Sequence, residues 1–136
     1  MGLEQFDTSS SEEGIDMPVL RPDNGEPLLQ DDGKTPVTVC VAGTDSDRYR
    51  KAELANRTRY IRKRDKTFRA EDIETNEMNI LVGITVSWSG IVVDGETLDC
   101  TPDNIRKVYT RFKFIRDQVN AFAGERANFL PASATN

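Results

Sequence analysis

The sequence predicts a mainly helical α+β protein: about three helices, a short strand, a β-hairpin and a flexible N-terminal arm. Three observations lead there. Ile105, Val108, Phe112, Ile115, Val119 and Phe122 recur at steps of three and four, laying one apolar stripe along a helix. Val37-Thr38-Val39-Cys40-Val41 alternates with β-branched residues, as a short strand does. The opening third is punctuated by Pro18, Pro22 and Pro27 and follows neither period.

Residues 1–34 read as an acidic, Pro- and Ser-rich arm. Ser9-Ser10-Ser11-Glu12-Glu13-Gly14 is polar, and Asp23-Asn24-Gly25 and Asp31-Asp32-Gly33 are turn signals. Met17, Val19, Leu20, Leu28 and Leu29 allow it to dock as an ordered extension; otherwise it is a flexible tail. Residues 35–130 form a single small domain, and 131–136 a flexible tail.

After the strand, Gly43-Thr44-Asp45-Ser46-Asp47 offers several N-cap oxygens to a helix over 47–66, which holds neither Gly nor Pro. That helix is strongly basic and its apolar face is thin. Residues 71–88 suit a second helix: Glu71, Asp72, Glu74 and Glu77 favour its start, and Ile73, Ile80, Ile84 and Trp88 share one face. By composition alone, residues 80–86 are equally a buried strand. Residues 91–98 read as a hairpin turning at Asp94-Gly95. Thr101 caps the last helix, Pro102 occupies its first position, and the stripe carries it over 102–123 to Gly124.

Composition narrows the function. The chain of 136 residues is 37% hydrophobic and 30% charged, with a mean hydropathy of −0.56 and a net charge of −5. It contains no histidine, which removes the commonest near-neutral proton shuttle and metal ligand. No nucleophile has a base, so no enzyme activity and no cofactor are expected. Cys40 and Cys100 lack a redox or zinc spacing and read as small buried hydrophobes that stay reduced. The first twenty residues carry no basic residue, which argues against a signal peptide, and the apolar run 80–93 is too interrupted to span a bilayer. A cytoplasmic protein is expected, so the sequon at Asn56 carries no meaning. Gly33-Lys34-Thr35 lacks the upstream glycine of a P-loop, and the aspartates near residue 45 lack a closing glutamate for calcium.

Charge is segregated. Residues 1–36 hold nine acidic residues against Arg21 and Lys34, a net of −7, while residues 48–69 hold ten basic against Glu53 and Asp65, a net of +8. Blocks of opposite sign suit contact with partners or with other copies. The candidate partner-binding residues are Arg57, Arg59, Arg62, Lys63 and Arg64 on the basic helix, with Trp88, Tyr109 and Phe112. Against each stands a plainer role: a solvated or internally neutralised face for the basic residues, core packing for the aromatic ones. Nucleic-acid binding through residues 48–69 is disfavoured by the surrounding negative charge.

The order of features resembles the tail assembly chaperones of long-tailed, non-contractile bacteriophages. The resemblance rests on Gly43-Thr44-Asp45-Ser46 followed by Arg48-Tyr49-Arg50, on Ile84 through Trp88-Ser89-Gly90-Ile91, and on Asp94-Gly95-Glu96. It continues through Asn104, Tyr109, Ile115-Arg116-Asp117-Gln118-Val119 and Asn128-Phe129. It covers residues 30–130 and is a pattern of dispersed positions. It implies a small, mostly helical protein of the host cytoplasm that coats the tape-measure protein and helps recruit tail-tube subunits. It also implies absence from the mature virion, self-association, and a longer frameshifted form that binds tube protein. The loose end at Ala132 to Asn136 is compatible with such an extension, and the family supplies no catalytic residue. The alternatives are a structural tail or head–tail connector protein, and a nucleic-acid-binding regulator.

Overall fold

The computed structural model describes residues 2–64 and 67–131. The class is α+β, as expected. Short 3-10 turns at Leu3–Phe6 and Ser9–Ser11 lead into β1 (Ile15–Pro18), then β2 (Thr38–Val41), α1 (Asp47–Arg62), α2 (Ala70–Ile84) and β3 (Thr85–Ser89). A two-stranded hairpin, β4 (Val92–Val93) and β5 (Glu96–Thr97), precedes α3 (Pro102–Arg111), α4 (Lys113–Gly124) and a last 3-10 turn at Arg126–Phe129.

The main sheet is antiparallel in the order β1-β2-β3. Met17 stands opposite Val39, and Val39 opposite Trp88, on the face that packs into the core; Asp16, Cys40 and Ser87 line the other face. Strand side chains alternate between faces, so a single register settles all of these fates. The core face is covered by the last two helices, which bury Ile105, Val108, Tyr109, Ile115, Val119 and Ala123. Each Ile or Val side chain among them contributes about 1.5–3 kcal/mol on removal from water.

Four expectations are revised. The arm is not flexible through its length: Ile15–Pro18 is an edge strand, and Met17 and Val19 are buried. Backbone bonds Leu28 N–H to Val19 C=O and Val37 N–H to Leu28 C=O continue the pairing through residues 19–37. The two foreseen turns are formed, with Gly25 and Gly33 at φ 74° and 70°. The arm orders because β2 and its apolar face need a cover on that edge.

The second revision concerns residues 71–88, which are helix only as far as Ile84. Thr85 turns to extended backbone, and residues 85–89 pair with β2. Its hydroxyl donates to the Leu81 carbonyl at 2.7 Å, closing the helix.

The third is the last helix, which is two. Phe112, at φ −111° and ψ 75°, breaks it without any Gly or Pro at the break. Both halves pack on α2, and the second also packs on β2 and the final 3-10 turn.

The fourth is α1, which ends at Arg62 rather than 66. Lys63 is extended, and its ammonium bonds the Thr67 carbonyl at 2.8 Å and Asp72 at 3.1 Å. Asp65, Lys66 and 132–136, on which the predicted helix end and tail fall, lie outside the described residues.

Candidate functional site: two partner surfaces

The basic helix is positioned by its caps. Ser46 Oγ accepts from Tyr49 N–H at 3.2 Å, and Glu12 Oε1 accepts from Asp47 N–H at 2.9 Å. Asp45, the neighbouring candidate cap, is drawn instead into a pair with Arg126 at 2.9 Å and a hydrogen bond from Thr8. Those two donors hold its carboxyl below the usual carboxylate range, the guanidinium foremost.

α1 and α2 run antiparallel, and the seam between them is polar. Lys63 meets Asp72, Arg59 donates to the Asn76 side chain, and Asn56 bonds both the Asn76 carbonyl at 3.1 Å and Asn79 at 3.2 Å. Arg106 of α3 closes the series on Asn79 at 2.8 Å. At the N-terminal end of α1, Gly83 lets Ala52 approach closely; a Cβ there would stand 3.1 Å from that of Ala52. The Asp72 carboxyl is held low, chiefly by the Arg69 backbone N–H and then by Lys63.

This seam sorts the predicted basic residues. Arg59 and Lys63 serve the α1–α2 contact. Arg57, Arg62 and Arg64 are exposed and make no ion pair among the described residues. Arg57 and Arg62 border two adjoining clefts of about 410 and 330 Å³, whose apolar walls are Tyr60, Ile61 and Phe68. Tyr60 and Phe68 stack edge to face at 6.0 Å, and Ile61 is 72% exposed. The C-terminal end of α1 is therefore a basic surface with an apolar centre, the anatomy of a protein contact.

The aromatic candidates divide. Tyr109 is fully buried and hydrogen-bonded to Thr85 at 2.6 Å, so it belongs to the core and not to a surface contact. Trp88 is half-buried on the core face, and its indole N–H donates to the Leu98 carbonyl at 2.8 Å, tying the hairpin to the sheet. Phe112 sits at the helix break and opens onto a second surface. There Phe112 and Phe114, edge to face at 6.5 Å, border a cleft of about 500 Å³ with Leu28, Leu29, Ile91 and Val92; Asp31 and Asp32 stand on its rim. Leu29 and Val92 are 44% and 52% exposed there. Beside it, Arg111 forks onto Asp94 at 2.7 and 3.1 Å and lies 5.1 Å from the Phe112 ring centre.

Sequence reasoning missed Leu28 and Leu29 as parts of this cleft. Their signal was present, an apolar pair after Pro27 in an otherwise polar arm, but only the docking of the arm shows what they face. Both cysteines are half-buried and free, and burial pushes each thiol upward, so both stay protonated near neutral pH. Among the described residues no helix is long and apolar enough to cross a membrane.

Comparison of the chain with protein families, characterised proteins and solved structures finds no match in any of the three.

Proposed function

We propose that this chain is a tail assembly chaperone of a long-tailed, non-contractile phage. It binds the tape-measure protein, self-associates along it in the host cytoplasm, and helps recruit tail-tube subunits through a longer frameshifted form. The reading combines the dispersed motif resemblance with one structural observation, the apolar cleft at the Phe112 break. That cleft is open, apolar at its floor and acidic at its rim. It suits the apolar stripe of a partner helix with basic residues beside it. A tape-measure protein is a long helix whose exposed stripes would otherwise aggregate. Among the described residues, four α-helices against five strands of two to five residues weigh against a β-rich tube subunit.

Co-expression with a candidate tape-measure protein tests the reading. The expected result is a tape-measure protein recovered in the soluble fraction with the wild-type chain and lost with Leu29→Asp/Val92→Asp. Both side chains are exposed, so the fold tolerates the change. Solubility indifferent to this chain, or the chain lodged stoichiometrically in purified mature virions, overturns it.

A further inference from the structure

We infer that the N-terminal turn of one copy docks on the C-terminal end of α1 of the next, making a head-to-tail contact. The inference deepens the self-association part of the proposed function by naming the two halves of the interface.

The first half is the 3-10 turn Leu3–Phe6. Leu3 is 83% and Phe6 61% exposed, two large apolar side chains on a segment with no buried residue. Glu4 and Asp7 flank them, and no basic residue occurs before Arg21. The chain is anchored directly after the turn: Thr8 donates to Asp45 at 2.8 Å, and Ser10 to the Phe129 carbonyl. The turn is thereby kept near the start of α1 with its two apolar side chains exposed.

The second half is the basic, apolar-centred surface around Ile61, with Tyr60, Phe68, Arg57 and Arg62. The two halves match in kind: two apolar side chains with carboxylates, against an apolar centre ringed by guanidinium groups. They also sit at opposite ends of one rod. The N-terminal segment is fastened at the start of α1, where Glu12 accepts from Asp47 N–H. Ile61 lies about fourteen residues further along the helix, roughly 20 Å away. Two different patches at opposite ends give a heterologous contact, which propagates into a ring or an open filament. One such contact is small and weak alone, and gains strength by repetition along a shared partner.

The test uses two variants of the full chain. Leu3→Ser/Phe6→Ser breaks the donating half, and Arg57→Glu/Ile61→Glu breaks the accepting half; all four positions are exposed, and circular dichroism checks that α1 persists. Sedimentation at low salt should show the wild type associating with rising concentration, and both variants monomeric. Mixed together, the variants should form a one-to-one heterodimer and stop there, because each retains the half that the other lacks. Raising salt should weaken both assemblies. A wild type monomeric at every concentration, including one whose own turn folds back onto α1, overturns the inference, as does association that survives either double substitution or variants that fail to pair. No tape-measure protein takes part, so a failure here leaves the co-expression result standing, and a failure there leaves this one.

Discussion

Gln118 grips Leu20 at both ends of its peptide face: its side-chain oxygen accepts from Leu20 N–H at 2.8 Å, and its amide donates to Leu20 C=O at 2.9 Å. The side chain thus imitates a neighbouring strand, and it does so across 98 residues of sequence. Through it α4 holds the loop that carries Leu28 and Leu29 to the cleft.

Gln118→Ala should release that loop without unfolding the protein. Two hydrogen bonds at a partly exposed site are together worth about 1–2 kcal/mol. Amide exchange should accelerate at Leu20, Arg21 and Leu28 while the amides of α3 keep their protection. Unchanged exchange at Leu20 would contradict the tether.

Tyr109 donates its phenol proton to Thr85. The direction follows because the single Thr85 proton is already committed to the Leu81 carbonyl. Tyr109→Phe therefore removes one buried hydrogen bond and should cost about 1–1.5 kcal/mol, a fall of roughly 4–6 °C in Tm. Denaturant titration measures it. Partner binding measured with the folded variant should be unchanged, as befits a core residue.

Stability should fall at both ends of the pH scale for stated groups. Burial pushes the Tyr109 phenol well above its ordinary value. Its contribution is complete below the ordinary tyrosine value of about 10 and is lost as pH rises above it. Asp45, Asp72 and Asp94 lie below the usual aspartate value, held by Arg126, by the Arg69 N–H, and by Arg111 respectively. Their contribution is present above about pH 4 and is lost as pH falls through their lowered values. All three lie near the surface, so the acid slope should be shallow and further reduced by salt. A Tyr109→Phe variant that keeps the alkaline slope of the wild type would remove Tyr109 as its source.

Gly83→Leu should prise α1 from α2. The added side chain points at Ala52, and a gain of helix propensity of about 1 kcal/mol cannot offset the clash. A net loss of about 2 kcal/mol and a lower helical ellipticity are expected. Gly124→Leu, which has open space around its added atoms, serves as the control.

Trp88 is the sole tryptophan, which makes its emission a clean reporter. Trp88→Phe keeps the ring in the core but strands the Leu98 carbonyl. A loss of about 1 kcal/mol and faster exchange in the hairpin are expected.

How much of this was legible beforehand depends on how local the cause is. Thr101, Pro102, Asp94-Gly95 and the turn glycines act within a few residues, and each sits where its chemistry implied. The class, the basic helix and the stripe of Ile105 to Val119 followed from the same short-range rules. What depended on a distant partner was not visible. The stripe is continuous in sequence, yet the helix breaks at Phe112, and its second half gains β2 and the final 3-10 turn as neighbours besides α2. Tyr109, next to that stripe, and Phe112, on it, stand three residues apart; one is sealed against Thr85 and the other opens onto a cleft. Residues 80–86 suit a helix face and, by composition, a buried strand alike, and pairing with the backbone edge of β2 makes strand of 85–89 alone. The arm shows it most plainly: its prolines and aspartates favour turns, and only β2 and Gln118 supply the partners that order it. Local chemistry therefore determined caps, turns and the charge blocks; pairing and burial, which need partners far along the chain, were decided by the tertiary structure alone.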